Sequence, residues 1–289
     1  MGRHLNRAKS HFGTDTRGLL DGGRYALLHT RSLELDELRP YVPGDDVRDI
    51  DWKASARSGD VLIKRFVSEK HHKILIVADT GRNTAGRTPT GQLKSEVAAH
   101  IIGAVGLITL PRSDEIGMVA GDRRGSVDIR LRRGETHIER ILHRFIQQTD
   151  TNPGQSDIVT QLEWVARHYR HPMLIVIVSD EPDIDERLRE VVPPLTARHD
   201  VLWAMVTDMP AIDPDAAGVG YDVADGRTVL GADIVGQRVL GAYRRAEEAR
   251  RRELTEFMTA QRIPHARIAA STGIMPALVA MTGVYARAG

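Results

Sequence analysis

Asp79 and Asp180 each close a short apolar run, KILIVAD in the first case and PMLIVIVSD in the second. A continuous apolar run stopped by a carboxylate is the pattern of a strand buried on both faces of a parallel sheet. Two carboxylates brought together repel each other unless something positive lies between them. A divalent cation, an arginine or a shared proton would each serve. A hard cation would also want neutral oxygens. Thr80, Asn83 and Thr84 follow Asp79 closely, and Ser156 stands in GQSDI where a helix opens. There it is placed to cap the helix and to turn its hydroxyl toward the same crevice. Glu181, Asp183 and Asp185 come just after Asp180. They either add a carboxylate to the crevice or favour the start of the next helix.

Other chemistry finds little support in the chain. There is no cysteine, which removes disulfides and thiolate sites and suits a reducing cytoplasm. Neither G-x-S-x-G nor H-E-x-x-H occurs, and the 12 histidines show no metal spacing. GRTPTG at 86–91 follows a strand and precedes a helix as a phosphate loop would, but Gln92 and Leu93 stand where its lysine and hydroxyl belong, so no nucleotide is expected. The net charge of +1 and an aromatic content of 4% argue against a nucleic-acid partner. The 34 arginines against 6 lysines favour bidentate contacts with carboxylates. The apolar stretch Val97 to Leu110 is too short and too interrupted to cross a membrane, and the basic N-terminus has no apolar core behind it.

The elements that must position these residues fall into two parts. Residues 1–70 form a turn-rich and charge-rich segment with short strands over Leu33–Leu38 and Val61–Val67 and no apolar stretch long enough for a core helix. Residues 71–289 alternate strands with helices, which predicts a doubly wound α/β domain with a mostly parallel sheet covered by helices on both faces. Strands are expected over Lys73–Ala78, Glu115–Gly121, Met173–Val178, Val201–Val206 and Ala266–Ala270. SVDIRLRR should form an edge strand with Val127, Ile129 and Leu131 facing inward. Helices are expected over Gln92–Leu110, Thr136–Gln148, Asp157–Tyr169, Ile184–Leu195, Gln237–Gln261 and Pro276–Arg287. Ligands of such sheets sit beyond the carboxyl ends of the strands where the strand order reverses. With the order 3-2-1-4-5-6, Asp79 and Asp180 would face each other there.

The spacing D-x-G-x-N after the first strand, G-x-S at a helix start and S-D after the fourth strand resembles a von Willebrand factor A domain. The metal-ion-dependent adhesion site of that fold is matched at Asp79, Gly81, Asn83, Ser156 and Asp180. The resemblance implies a Mg²⁺ site in which Asp79, Asn83, Ser156 and Asp180 supply ligands, with Gly81 leaving one hydroxyl out. The other reading of these residues is a metal-free site in which Asp79 caps a turn and Asp180 accepts backbone N–H groups.

The stretch ELRPYVPGDDVRDIDWKASARSGDVLIKRF is similar to the signature of the bacterial family catalogued as domain of unknown function 58. The carrying residues include Arg39, Tyr41, Gly44, Asp45, Arg48, Asp51, Trp52 and Arg57. Asp45, Asp49 and Asp51 interleaved with Arg48 and Arg57 read as an ion-pair network with Trp52 as an anchor, as a partner-binding surface, or as both. The family resemblance implies work beside a MoxR-type AAA+ ATPase. The expectation is therefore a non-catalytic, cytoplasmic protein-binding module. The alternatives are a metal-free structural assembly factor and a Mg²⁺-dependent phosphate-ester hydrolase, the last handicapped by glycine at position 81.

Overall fold

The computed structural model describes residues 2–12, 35–42, 45, 50–66, 72–151, 153–212 and 219–285. Two compact units divide the chain, one of residues 29–71 and one of residues 1–28 with 72–289.

In the smaller unit, strands β1 (Leu35–Pro40) and β2 (Leu62–Phe66) pair antiparallel, with a register shift between Leu35 and Glu37. Ile50 bridges Ile63, and both are buried. A short helix unforeseen in the sequence, numbered α2 (Trp52–Ser58), lies between the strands. Asp51 caps it by accepting the N–H groups of Lys53 and Ala54, and Gly59 ends it in the left-handed conformation at φ 83°.

The larger unit is a six-stranded sheet. Its strands are β3 (Lys73–Asp79), β4 (Glu115–Asp122), β5 (Gly125–Arg132), β6 (Leu174–Ser179), β7 (Asp200–Val206) and β10 (His265–Ile268). They lie in the order β5-β4-β3-β6-β7-β10, all parallel except β5. This is the doubly wound order expected, and it makes β3 and β6 neighbours across the reversal. The edge strand differs in one respect. A register shift against β4 places an extra residue in β5. Ile129 therefore packs into the core on one face while Leu131 packs on the other.

Helices cover both faces. One face carries α1 (Arg3–Phe12), α3 (Lys94–Thr109), α4 (Glu135–Asp150) and α8 (Ile274–Tyr285). The other carries α5 (Ile158–His168), α6 (Glu186–Thr196) and the C-terminal part of α7 (Ala232–Ala260), which breaks at Gly236. A small hairpin of β8 (Val219–Tyr221) and β9 (Thr228–Leu230), also unforeseen, precedes α7. No described helix is long and apolar enough to cross a membrane.

Helix α1 belongs to this larger unit, although the sequence groups it with residues 1–70. Its only buried side chains are Leu5 and Ala8, too few to register as an apolar pattern. It packs on α3 and α4. A Cβ on Gly103 of α3 would lie 2.8 Å from that of Ala8, so glycine allows the close approach. The Glu139 carboxylate of α4 accepts the backbone N–H groups of His4 and Leu5 at 3.0 and 2.7 Å. It thus satisfies donors that a helix start leaves open. Replacing it, Glu139→Ala, should cost about 1–2 kcal/mol in chemical denaturation and expose residues 3–12 to hydrogen exchange while the sheet stays protected.

Candidate functional site

Three carboxylates collect at the carboxyl ends of three adjacent strands: Asp79 ends β3, Asp180 follows β6, and Asp208 lies two residues beyond β7. Between Asp180 and Asp208 lies the ammonium of Lys94, the first residue of α3. Its Nζ donates to Oδ1 of Asp180 and to Oδ1 of Asp208. Lys94 is 1% exposed. Burial works against its charge, but the two carboxylates outweigh burial and hold its pKa above the ordinary lysine value.

The backbone around the cluster is tightly held. Lys94 N–H donates to Gly86 O at 3.0 Å, and Arg82 N–H to Gly154 O at 2.8 Å. Ser179 accepts the indole N–H of the fully buried Trp203 at 2.9 Å and donates to the Asp180 carbonyl at 2.7 Å. That pair of bonds fixes the strand end from which Asp180 projects.

Asp79 is buried, and its Oδ1 accepts the N–H of Gly81 at 2.6 Å. It therefore caps the turn, as one reading of the sequence has it. Burial and the nearby Asp180 push its carboxyl up to about 7 against the smaller opposing pull of Gly81 and Ser156. Ser156 turns toward the crevice as expected but does not cap α5, which starts two residues later. Its hydroxyl accepts the backbone N–H of Asn83 at 3.2 Å and hydrogen-bonds to Asp79. Asp180 meets Lys94 rather than backbone N–H groups. Glu181 pairs with Arg250 and Arg267, and Asp185 caps α6 at Leu188 N–H.

Asp79, Asn83, Ser156 and Asp180 thus come together, but the donor set does not fit a resident divalent cation. Lys94 already supplies the positive charge at Asp180. A Cβ at Gly81 would lie 2.4 Å from Ser156 Cα and 2.5 Å from its N, so no hydroxyl-bearing residue fits there without moving the loop. Among the described residues no three carboxylates or histidines converge as metal ligands.

The residues of the N-terminal signature serve mainly local ends in the smaller unit. Asp51 caps α2, and Asp45 accepts the Val42 N–H at 3.0 Å. Tyr41 N–H pairs with Val61 O. Arg57 is exposed in the last turn of α2. Arg39 lies on β1, and Arg48 and Gly44 fall outside the described residues. Trp52 is 65% exposed and anchors no core; Val42 and Val61 of the same unit are also exposed.

Lys94 and Asp208 are the site residues that sequence reasoning missed. A signal for Lys94 existed. It is one of only 6 lysines, and it opens a largely apolar helix at the end where the helix dipole disfavours a cation. Such a placement demands nearby carboxylates. Asp208 repeats the pattern of an apolar strand followed by aspartate, displaced by one further residue.

Two outcomes follow from this geometry. Ser179→Ala should leave the Trp203 indole without its acceptor and cost about 1–3 kcal/mol in equilibrium denaturation. Asp79 has a folded-state pKa above its unfolded value, so its contribution to stability is complete below the unfolded value and is lost as pH rises through about 7. Asp79→Asn keeps an acceptor for Gly81 N–H and escapes that loss. The variant should be more stable than wild type by a few kcal/mol at about pH 8, with the difference closing toward about pH 4.

This chain is similar to several known proteins. Uncharacterized proteins of Mycobacterium bovis and Mycobacterium tuberculosis are 23% identical over 214 residues, covering 73% of this chain and 67% of theirs. Among solved structures, an aerotolerance-related membrane protein from Bacteroides fragilis, crystallised with multiple mutations to serines, superposes with a TM-score of 0.48 at 14% identity. The match covers 74% of this chain and 99% of that one. A von Willebrand factor type A protein from Catenulispora acidiphila gives 0.45 at 12% identity over 77% of this chain and 43% of its own. The model of the family described as protein of unknown function DUF58 matches residues 37–252, and the chain belongs to that family.

Proposed function

We propose that this chain is a non-catalytic protein-binding module that works in the cytoplasm as partner or adaptor of a MoxR-type AAA+ ATPase in assembly or chaperone-like work. The observation that carries the reading is the ion cluster at the sheet's carboxyl end. Lys94 is locked between Asp180 and Asp208, and the Asp208 side chain remains 57% exposed at the rim. A rigid charged rim suits recognition. It is poorly disposed for catalysis: the Ser156 hydroxyl is engaged by Asn83 N–H, and the carboxyl beside it, Asp79, is buried rather than open to a substrate. Asp79 is buried and held by Gly81 N–H, a poor disposition for a nucleophile or metal ligand in phosphate-ester hydrolysis. The exposed Trp52 on the smaller unit offers a second contact of the aromatic kind that dominates interfaces. The MoxR-type partner comes from the family resemblance.

The test is calorimetric titration of the purified chain with the MoxR-type ATPase of the same genome, in EDTA. Direct binding is expected, with Asp208→Lys weakening it by roughly tenfold or more. Trp52→Ala should weaken binding independently if the smaller unit also touches the partner. No binding to the ATPase, or equal binding by wild type and both variants, would remove the proposal. Turnover of phosphate esters with Mg²⁺ that Asp79→Ala abolishes would replace it with the hydrolase.

A further inference from the structure

The misfit between this crevice and a divalent ion has a specific cause, the side chain of Lys94. Its ammonium touches one oxygen of Asp180 and one of Asp208, carboxylates carried by neighbouring strands. It is almost wholly withdrawn from water, so the contact is not a casual surface pair. Its backbone is pinned to Gly86, and a Cβ on Gly86 would sit 3.4 Å from Lys94 Cδ, so the lysine stem runs closely past that glycine. Lys94 also opens α3, whose N-terminus turns the positive end of the helix dipole toward the same carboxylates.

We propose that the Lys94 ammonium is the resident cation of this crevice, a covalently tethered charge that takes the place of a divalent ion between Asp180 and Asp208, so that their charge is balanced without Mg²⁺ or Mn²⁺ even though Asp180 Oδ2 is left without a hydrogen-bond partner. A tethered cation differs from a bound one in two ways. It cannot be chelated away, and it offers no exchangeable coordination position to an incoming carboxylate. A free dication approaching Asp180 would meet the ammonium and the helix dipole, both repulsive. The inference rests on the lysine geometry alone and stands whether or not the partner is a MoxR-type ATPase.

The same geometry says what removing the lysine would do. Lys94→Met keeps the length of the stem and deletes the charge, leaving Asp180 and Asp208 facing one point with nothing between them. That point then becomes a two-carboxylate site of the kind a divalent ion completes with water.

The experiment titrates Mn²⁺ and Mg²⁺ into wild type and Lys94→Met, following Mn²⁺ by electron paramagnetic resonance and stability by thermal melting. Refolding yield with Mn²⁺ or EDTA is measured for the variant. Wild type should show no saturable binding and the same melting temperature in Mg²⁺ and in EDTA. Lys94→Met should bind Mn²⁺ saturably, at least about tenfold above any residual association with wild type, and should melt higher or refold in greater yield with the ion. The added change Asp180→Asn should abolish that response. Saturable metal binding by wild type that Asp180→Asn removes would overturn the proposal. So would a Lys94→Met chain whose stability and refolding yield are indifferent to both ions.

Discussion

Lys94 buries an ammonium where an isolated charge would cost several kcal/mol. Asp180 and Asp208 offset that cost only because two different strands deliver them to the same point. Much of the surrounding structure serves the delivery. The reversal of strand order between β3 and β6 opens the crevice. The bond from Trp203 to Ser179 ties the end of β6 to β7 beside it. The loop from Gly86 to Leu93 starts α3 in the right place, with Met209 N–H bonded to Arg87 O joining the loop to the segment that carries Asp208. The ion cluster and the sheet edge therefore depend on each other.

Asp79 occupies a different electrical position from its neighbours. It lies deep in the sheet, bonded to Gly81 N–H, with Asp180 raising its proton affinity rather than satisfying its charge. Near neutrality it hovers between neutral and ionised, while Lys94 stays charged. The crevice thus combines one fixed cation with carboxyls of variable charge, since burial and Asp180 also push Asp208 up, to about 6.

The sheet was legible because its central strands are largely apolar and end at or near carboxylates, and because β5 alternates. Periodicity also found every helix of the larger unit that buries a broad face. It missed α1, which buries only Leu5 and Ala8, and α2, held by the Asp51 and Gly59 caps rather than by an apolar stripe. The bulge that re-aims Leu131 was hidden because alternation in one strand says nothing of its partner's register. In the site, Asp79, Ser156 and Asp180 could be placed from strand ends and a loop. Lys94 and Asp208 could not be paired in that way, since 114 residues separate them and only the crossover brings them together.

The contact between Gly81 and the Ser156 backbone bears on how this crevice could be altered. A side chain at position 81 collides with main-chain atoms rather than with the movable tip of another residue. The Arg82 N–H to Gly154 O bond clamps the same two loops at that point. The two loops behave as a closed clasp. A designer wishing to add a hydroxyl ligand at position 81 would have to lengthen the 153–157 loop first. The backbone imposes that order at position 81, whatever is done at Lys94.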